Sequence, residues 1–299
     1  MIDFSKIKLD PKQFNRVEKL VAKNWQNNDG CKLHHHWEKD SKLNLKSVIN
    51  NGGKFESLSW LGNGYPEKTK EKSNQIDKHS MAEHFRNVDT LDVQTGLYQF
   101  YKIEKFFKSQ KINFENMKSI RVVEVGGGYG RMAMFFLKFF GKKCHYVSVD
   151  YVPSSLTFAP QVMKQAFPNL KVAGILNKTT NFNDYNFVSL PAWNIGKLKK
   201  ESFDLGINLH SFQEMTKPSF DFYVDEFARL LKTKGLLYII NNPADIGRGH
   251  GYEEHKAYGI ERRFKEESSN KYPFSPGVWE KICGVPTLER TFTKNPHDK

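Results

Sequence analysis

The sequence predicts an α/β fold: a doubly wound, mostly parallel sheet behind a helical N-terminal extension. Three observations carry that expectation. From residue 120 onward, short apolar runs of strand length alternate with helical stretches. The first of these runs leads into a cluster of glycines and then a helix. Residues 1 to about 115 show no strand-like alternation at all.

The N-terminal extension reads as helices joined by loops rich in Asn, Gly and Lys. Asn50-Asn51-Gly52-Gly53 and Gly62-Asn63-Gly64-Tyr65-Pro66 are breakers. Between Leu91 and Phe107, the residues Leu91, Leu97, Phe100, Tyr101, Ile103 and Phe107 approximate one helical stripe. Ile120 to Val125 is a β-type run, and Arg131 to Phe140 an apolar helix. Cys144 to Asp150 is a second strand, followed by a helix from Ser154 to Phe167 that Pro168 ends. Val172 to Leu176 fits either a short strand or a loop. Phe187 to Leu190 and Phe203 to Asn208 read as strands, Pro218 to Leu231 as a helix, and Gly235 to Asn241 as a last strand. Beyond about residue 245 the chain is polar and broken by Gly and Pro, with a turn signal at Phe274-Ser275-Pro276-Gly277. Three segments are expected: an extension or cap over 1–115, a ligand-binding α/β core over 116–245, and a C-terminal segment over 246–299 that completes the core or covers the site.

A chain of 299 residues with 24 Phe and 38% hydrophobic residues can build a sizeable core. No run approaches the ~18–20 apolar residues of a membrane helix. Met1-Ile2-Asp3-Phe4-Ser5-Lys6 has no apolar signal region, so a cytoplasmic location is expected. Cys31, Cys144 and Cys283 are too scattered for a disulfide framework or a paired metal site, and read as reduced thiols. The net charge is +13, but the lysines are spread out and do not interleave with aromatics. That favours a generally basic surface, suited to a phosphate-bearing substrate or an anionic membrane surface, over dedicated nucleic-acid binding. His34-His35-His36 reads as a polar patch, since adjacent histidines cannot all face one ion. No metal is expected.

The chemistry concentrates at the ends of the predicted strands. Glu124-Val125-Gly126-Gly127-Gly128-Tyr129-Gly130 follows a strand and opens a helix. Glycines there let backbone amides approach a ligand, and the helix N-terminus favours an anionic group. A dinucleotide fingerprint needs a third small residue where this chain has Arg131, which disfavours NAD. Asp150 ends the second strand, where a carboxylate accepts hydrogen bonds from ribose hydroxyls. Ala192 and Trp193 follow the strand at Phe187, and Trp193 either stacks on a base or anchors the core. After the strand at Phe203 comes Asn208-Leu209-His210-Ser211-Phe212-Gln213-Glu214-Met215. A histidine titrating near pH ~6.5 can take a proton from a hydroxyl. Glu214 can orient that imidazole, contact substrate, bind a metal or cap a helix. Tyr98 and Tyr129 either line a pocket or fill the core.

The pattern from Glu124 to Gly130 resembles motif I of class I methyltransferases, enzymes with a Rossmann-like core that use S-adenosylmethionine. The stretches Val123 to Arg131, Pro191-Ala192-Trp193 and Asn208 to Met215 together resemble a bacterial family of sugar O-methyltransferases found with surface-polysaccharide biosynthesis. That family reads Asn-x-His-Ser-Phe-x-Glu-Met at the last motif. His84-Phe85-Arg86-Asn87 is similar to its Asn-Phe-Arg element, with His in place of the usual Asn. The resemblance spans roughly residues 80 to 245. It implies S-adenosylmethionine as cofactor, with Glu124 at the methionine ammonium. The expected cofactor contacts are Glu124, Gly126, Gly127, Gly128, Gly130, Arg131, Asp150, Ala192, Trp193 and Asn208. His210 and Glu214 are the candidate catalytic residues, and Arg86 and Tyr129 the candidate substrate contacts, with Arg86 suited equally to a ligand carboxylate, a substrate phosphate or a surface ion pair. The implied acceptor is a sugar hydroxyl of a nucleotide sugar or surface glycan. The competing expectations are a non-catalytic S-adenosylmethionine-binding partner of a glycosyltransferase, and a methyltransferase for another small molecule or nucleic acid.

Overall fold

The computed structural model describes residues 11–25, 91–175, 181–215, 217–242, 259–273 and 286–295. Two helices precede the sheet, α1 (Pro11–Trp25) and α2 (Leu91–Ser109). The core then runs β1 (Ile120–Val125), α3 (Arg131–Phe140), β2 (Cys144–Asp150), α4 (Pro153–Ala166), β3 (Val172–Ala173) and β4 (Phe187–Pro191). It continues with β5 (Phe203–Leu209), α5 (Lys217–Leu230), β6 (Leu231–Asn241), β7 (Phe264–Lys271) and β8 (Leu288–Lys294). The eight strands form one sheet in the order β3-β4-β2-β1-β5-β6-β8-β7. β1 to β6 are parallel, while β8 runs antiparallel to both β6 and β7. This is the doubly wound fold expected from the alternating runs. The chain starts in the middle at β1, moves outward through β2 and β4, then returns to β5 on the other side. The reversal leaves a crevice at the carboxyl ends of β1 and β5, where such sheets bind ligands.

The central strands are buried on both faces, which is why they read as continuous apolar runs. Alternate residues still divide between two cores. Val122, Tyr146, Leu205, Ile207, Tyr238 and Ile240 meet α2, α3 and α4. Val123, Val125, Val147 and Val149 meet Phe220, Tyr223 and Phe227 of α5. Phenylalanines fill the first core: Phe100 lies 5.1 Å from Phe136 and 5.6 Å from Phe114, ring to ring. A buried ring of this kind stabilises the fold by ~1.5–3 kcal/mol. α2 presses onto α3 at Gly96, where a Cβ would sit 2.4 Å from the Phe135 ring. That close approach fixes which face of α2 turns toward the sheet. α1 lies against α4, and Gln161 Nε2 donates to Gln13 Oε1 across 3.3 Å.

The differences from the sequence reading are local. Val172 to Leu176 resolves as a two-residue edge strand, Val172–Ala173. β6 begins at Leu231, four residues before Gly235. Lys232, Thr233 and Lys234 are exposed there, so that stretch has no apolar signal. α4 starts at Pro153, a favoured first-turn position, and carries Pro160 inside it. The C-terminal segment contributes β7 and β8 to the sheet. The breakers at 50–53 and 62–66, the three adjacent histidines and the turn at 274–277 lie outside the described residues. No described helix is long and apolar enough to cross a membrane.

Candidate active site

The glycine loop lies over the end of β1. Gly126, Gly128 and Gly130 all have positive φ, of 78°, 55° and 90°, and Gly130 opens α3. Gly126 N donates to Val149 O at 2.8 Å, which ties the loop to β2. A Cβ on Gly127 would sit 2.1 Å from Ser148 Oγ and 2.9 Å from Glu124 Oε2. The backbone therefore rests directly on the Glu124 carboxylate. Over Gly128 a Cβ would meet nothing within 4 Å, leaving room for a ligand against the backbone.

Glu124 is 2% exposed and accepts a 2.6 Å hydrogen bond from the Tyr146 hydroxyl. Burial pushes its carboxyl up to about 7. The Tyr146 hydrogen bond and the Arg131 charge oppose that rise, while Asp150 adds to it. Such a carboxyl sits near its titration midpoint at neutral pH and is poised to become fully charged beside a cation. Asp150 organises the adjoining turn. Its Oδ1 accepts from Tyr151 N at 2.7 Å and Val152 N at 2.9 Å, and its Oδ2 accepts from Gly128 N at 3.0 Å. Burial raises its carboxyl, and those backbone hydrogen bonds pull it back. Trp193 lies in the short helical turn after β4, half-buried, with its ring edge-on to Tyr151 at 5.6 Å. Ala192 beside it is fully buried.

The segment after β5 is built around Asn208, which is 0% exposed. Its Nδ2 donates to Val125 O at 3.0 Å and to Ser211 Oγ at 2.6 Å. Its Oδ1 accepts from Phe212 N at 3.1 Å and from Asn241 Nδ2 at 2.8 Å. All four hydrogen-bonding positions of the amide are thus used within the protein. What the Asn208 side chain supplies is position: it joins the ends of β1, β5 and β6. Ser211 sits against Gly126, where a Cβ would meet its Oγ at 2.3 Å. The two motifs are therefore in contact.

His210 lies between them at the crevice. Its backbone is left-handed, with φ 63°, and its N–H donates to Ile240 O at 2.6 Å. A non-glycine residue in this region is uncommon and marks a place where the surroundings dictate the backbone. Burial and then the Arg131 charge bring its imidazole down to about 4, so it is neutral at pH 7. The Tyr272 ring faces it at 5.7 Å. Tyr272 is in turn held by Gln99, whose Nε2 donates to the Tyr272 hydroxyl at 2.8 Å. Arg131 Nη2 donates to Gln99 Oε1 at 3.1 Å. Helix α2, the glycine-loop helix and the C-terminal hairpin thus converge on His210. Tyr129 is half-buried against the first core. Glu214 closes the short turn Phe212–Glu214, and its side chain lies outside the described residues, as does Arg86. Among the described residues, no three His, Cys, Asp or Glu side chains are grouped to hold a metal. Cys144 is a buried free thiol, and burial raises its pKa.

Sequence reasoning missed Gln99, Tyr146 and Tyr272. Gln99 carried a signal, since it is a polar residue set among the apolar stripe residues Leu97, Phe100 and Ile103. Tyr146 sits in a strand whose apolar alternation hides a hydroxyl aimed at Glu124. Tyr272 lies in a polar stretch with no periodicity, and only the fold brings it to the crevice.

Residues 123–239 match the model of a family described as a methyltransferase domain. That range begins inside β1 and ends inside β6, so it encloses the glycine loop, Asp150 and His210. Over those residues the chain is similar to a methyltransferase domain. No curated protein matches the chain. Among solved structures, a Galdieria sulphuraria protein assigned as a sarcosine dimethylglycine methyltransferase is similar at 14% identity, with TM-score 0.50, over 83% of this chain and 98% of that one. The 1,6-didemethyltoxoflavin-N1-methyltransferase of Burkholderia thailandensis shares 17% identity over 77% of this chain and 91% of its own, with TM-score 0.42. The geranyl diphosphate C-methyltransferase of Streptomyces coelicolor A3(2) shares 11% over 73% and 82%, with TM-score 0.43. At 14% identity the likeness to the Galdieria structure is one of fold, and the fold is Rossmann-like, that of class I methyltransferases. A methyltransferase domain on this fold takes its methyl group from S-adenosylmethionine. The residues present are compatible with that cofactor: Glu124 is a buried carboxyl near neutrality that could face an ammonium group, and a Cβ on Gly128 would meet nothing within 4 Å.

Proposed function

We propose that the methyltransferase core acts on a hydroxyl oxygen of a sugar, carried by a nucleotide sugar or a surface glycan. The observation that carries this reading is His210. It is neutral at pH 7, it is held in a left-handed turn at the end of β5, and it lies beside the glycine loop. The resemblance of Asn208 to Met215 to sugar O-methyltransferases supports the acceptor class.

S-adenosylmethionine supplies an electrophilic methyl carbon on a sulfonium. Glu124 would hold the ammonium end, the glycine loop and the head of α3 would receive the carboxylate, and Asp150 would accept from the ribose. Trp193 and Tyr151 border the adenine side. Asn208 and Ser211 fix the end of β5 relative to the loop. With the cofactor bound, the C–S bond would break as the acceptor oxygen bonds to the methyl carbon, and the His210 imidazole would take the hydroxyl proton. General-base help of this kind is worth roughly 10²–10⁴ in rate.

The test is turnover of labelled S-adenosylmethionine on a panel of nucleotide sugars, with wild type and His210→Gln side by side. S-adenosylhomocysteine affinity should stay within about two-fold while turnover drops by roughly 10²–10⁴. Full turnover in His210→Gln would reject His210 as the base. Tight cofactor binding with no turnover on any sugar would favour a non-catalytic partner of a glycosyltransferase.

A further inference from the structure

One face of α2 carries a polar stripe that the steps above leave without a role. Thr95, Tyr98, Gln99 and Lys102 stand at the i, i+3, i+4 and i+7 spacing of a single helix face. Three of them already have partners. Tyr98 donates to Glu289 Oε2 at 3.0 Å, with Lys102 Nζ at 3.5 Å from the same oxygen. Gln99 joins Arg131 to Tyr272, as described. Glu289 is 1% exposed and also accepts from the Tyr238 hydroxyl. Thr95 is different. It is 4% exposed, and its Oγ1 has no hydrogen-bond partner among the described residues. A threonine inside a helix ordinarily bonds back to the carbonyl a turn earlier, and an orphaned buried hydroxyl costs ~1–3 kcal/mol. Thr95 stands one turn before Gln99 on the same face, and so on the side of α2 that meets Tyr272 and, across it, His210.

We propose that Thr95, Gln99 and Tyr272 form the acceptor subsite, with the Thr95 hydroxyl bonding to a hydroxyl of a polyhydroxylated acceptor. Gln99 sets the Tyr272 ring against the His210 imidazole. The residues that choose the acceptor then lie outside the matched core, on α2 and on the C-terminal hairpin. This assignment rests on the sugar-hydroxyl reading above.

The experiment uses the full chain, saturated with S-adenosylhomocysteine for the binding measurements and free of it in the turnover assays. Saturation-transfer NMR reads contact with methyl glycosides of glucose, galactose, mannose and rhamnose, and labelled S-adenosylmethionine reads their methylation. The variants are Thr95→Val, Thr95→Ser and Tyr272→Phe. Thr95→Val should weaken contact with the glycoside that wild type binds by about three- to ten-fold, the worth of one hydrogen bond. Thr95→Ser should restore it. Thr95→Val should also melt no lower than wild type, because it removes an unsatisfied buried polar group. Tyr272→Phe should lose turnover while its S-adenosylhomocysteine affinity stays within about two-fold. Unchanged glycoside contact in Thr95→Val and Tyr272→Phe would overturn the subsite and leave the sugar reading standing. If no glycoside contacts wild type and none is methylated, the sugar reading fails, and the subsite fails with it.

Discussion

His210 and Glu124 lie within one crevice, yet burial moves their titrations in opposite directions. It disfavours the charged form of each, so the imidazole falls to about 4 and the carboxyl rises to about 7. The proposed roles need opposite outcomes: a neutral base at His210 and a charged partner for an ammonium at Glu124. His210 is therefore ready at neutral pH without a ligand, whereas Glu124 becomes ready as the cofactor arrives. Two separable pH dependences follow. With the cofactor saturating, kcat/KM for the acceptor should stay level on acidification down to about pH 4, and not fall near pH ~6.5 as an ordinary histidine would dictate. Arg131→Met removes the nearby cation, so the acid limb should move upward toward that value. Affinity for S-adenosylhomocysteine, measured by calorimetry, should strengthen as pH rises through about 7 and level off above it. Glu124→Gln should flatten that dependence. A flat profile in wild type would show that Glu124 does not meet the ammonium.

The elements that frame the crevice were legible in the sequence because their chemistry is local. β1, α3 and β2 fall on the predicted residues, since a buried parallel strand is a short apolar run and the glycines mark where it turns. What was not legible is how one element completes another. Asn208 was expected to touch the cofactor, but its amide instead binds Val125, Ser211, Phe212 and Asn241 across three strand ends. Those partners come from three places in the chain, and no local pattern foretells their meeting. Asn208→Ala should therefore act through the framework. It orphans the buried Phe212 N–H and removes one of the two side-chain donors to Val125 O, leaving that from Ser211 Oγ, and it should destabilise the protein by roughly 1–3 kcal/mol in denaturant melts. Gly126→Ala should fail differently. At φ 78° a Cβ is strained, and it would strike Ser211 Oγ at 2.3 Å. Cofactor binding should be lost along with some stability, because Ser211 must swing away and take the Asn208 hydrogen bond with it.

At the scale of the whole molecule, Glu124 and the half-buried His210 should leave opposite marks on folding stability. Glu124 has a folded-state pKa raised from 4.5 to about 7, so across that window the folded chain holds a proton that the unfolded chain releases. Its contribution is present below pH 4.5 and lost as pH rises to about 7, a change of roughly 3 kcal/mol. His210 behaves in reverse. Its folded-state value is depressed from 6.5 to about 4, so the unfolded chain binds the extra proton between those values. Its contribution is present above pH 6.5 and lost as pH falls toward 4. The windows overlap, so in wild type the two slopes oppose each other and the pair leaves little net trend. Single variants should expose each slope. With Glu124→Gln, denaturant midpoints should fall more steeply than in wild type on going from pH 7 to 5, because the histidine acts alone. His210→Gln should become relatively more stable over the same range. Subtracting each variant's curve from that of wild type cancels groups elsewhere in the chain and leaves the one titration removed. If the two difference curves slope the same way, the burial assigned to one of these groups is wrong. If they slope in opposite directions, the crevice is desolvated before any ligand enters, which is the condition the proposed chemistry requires.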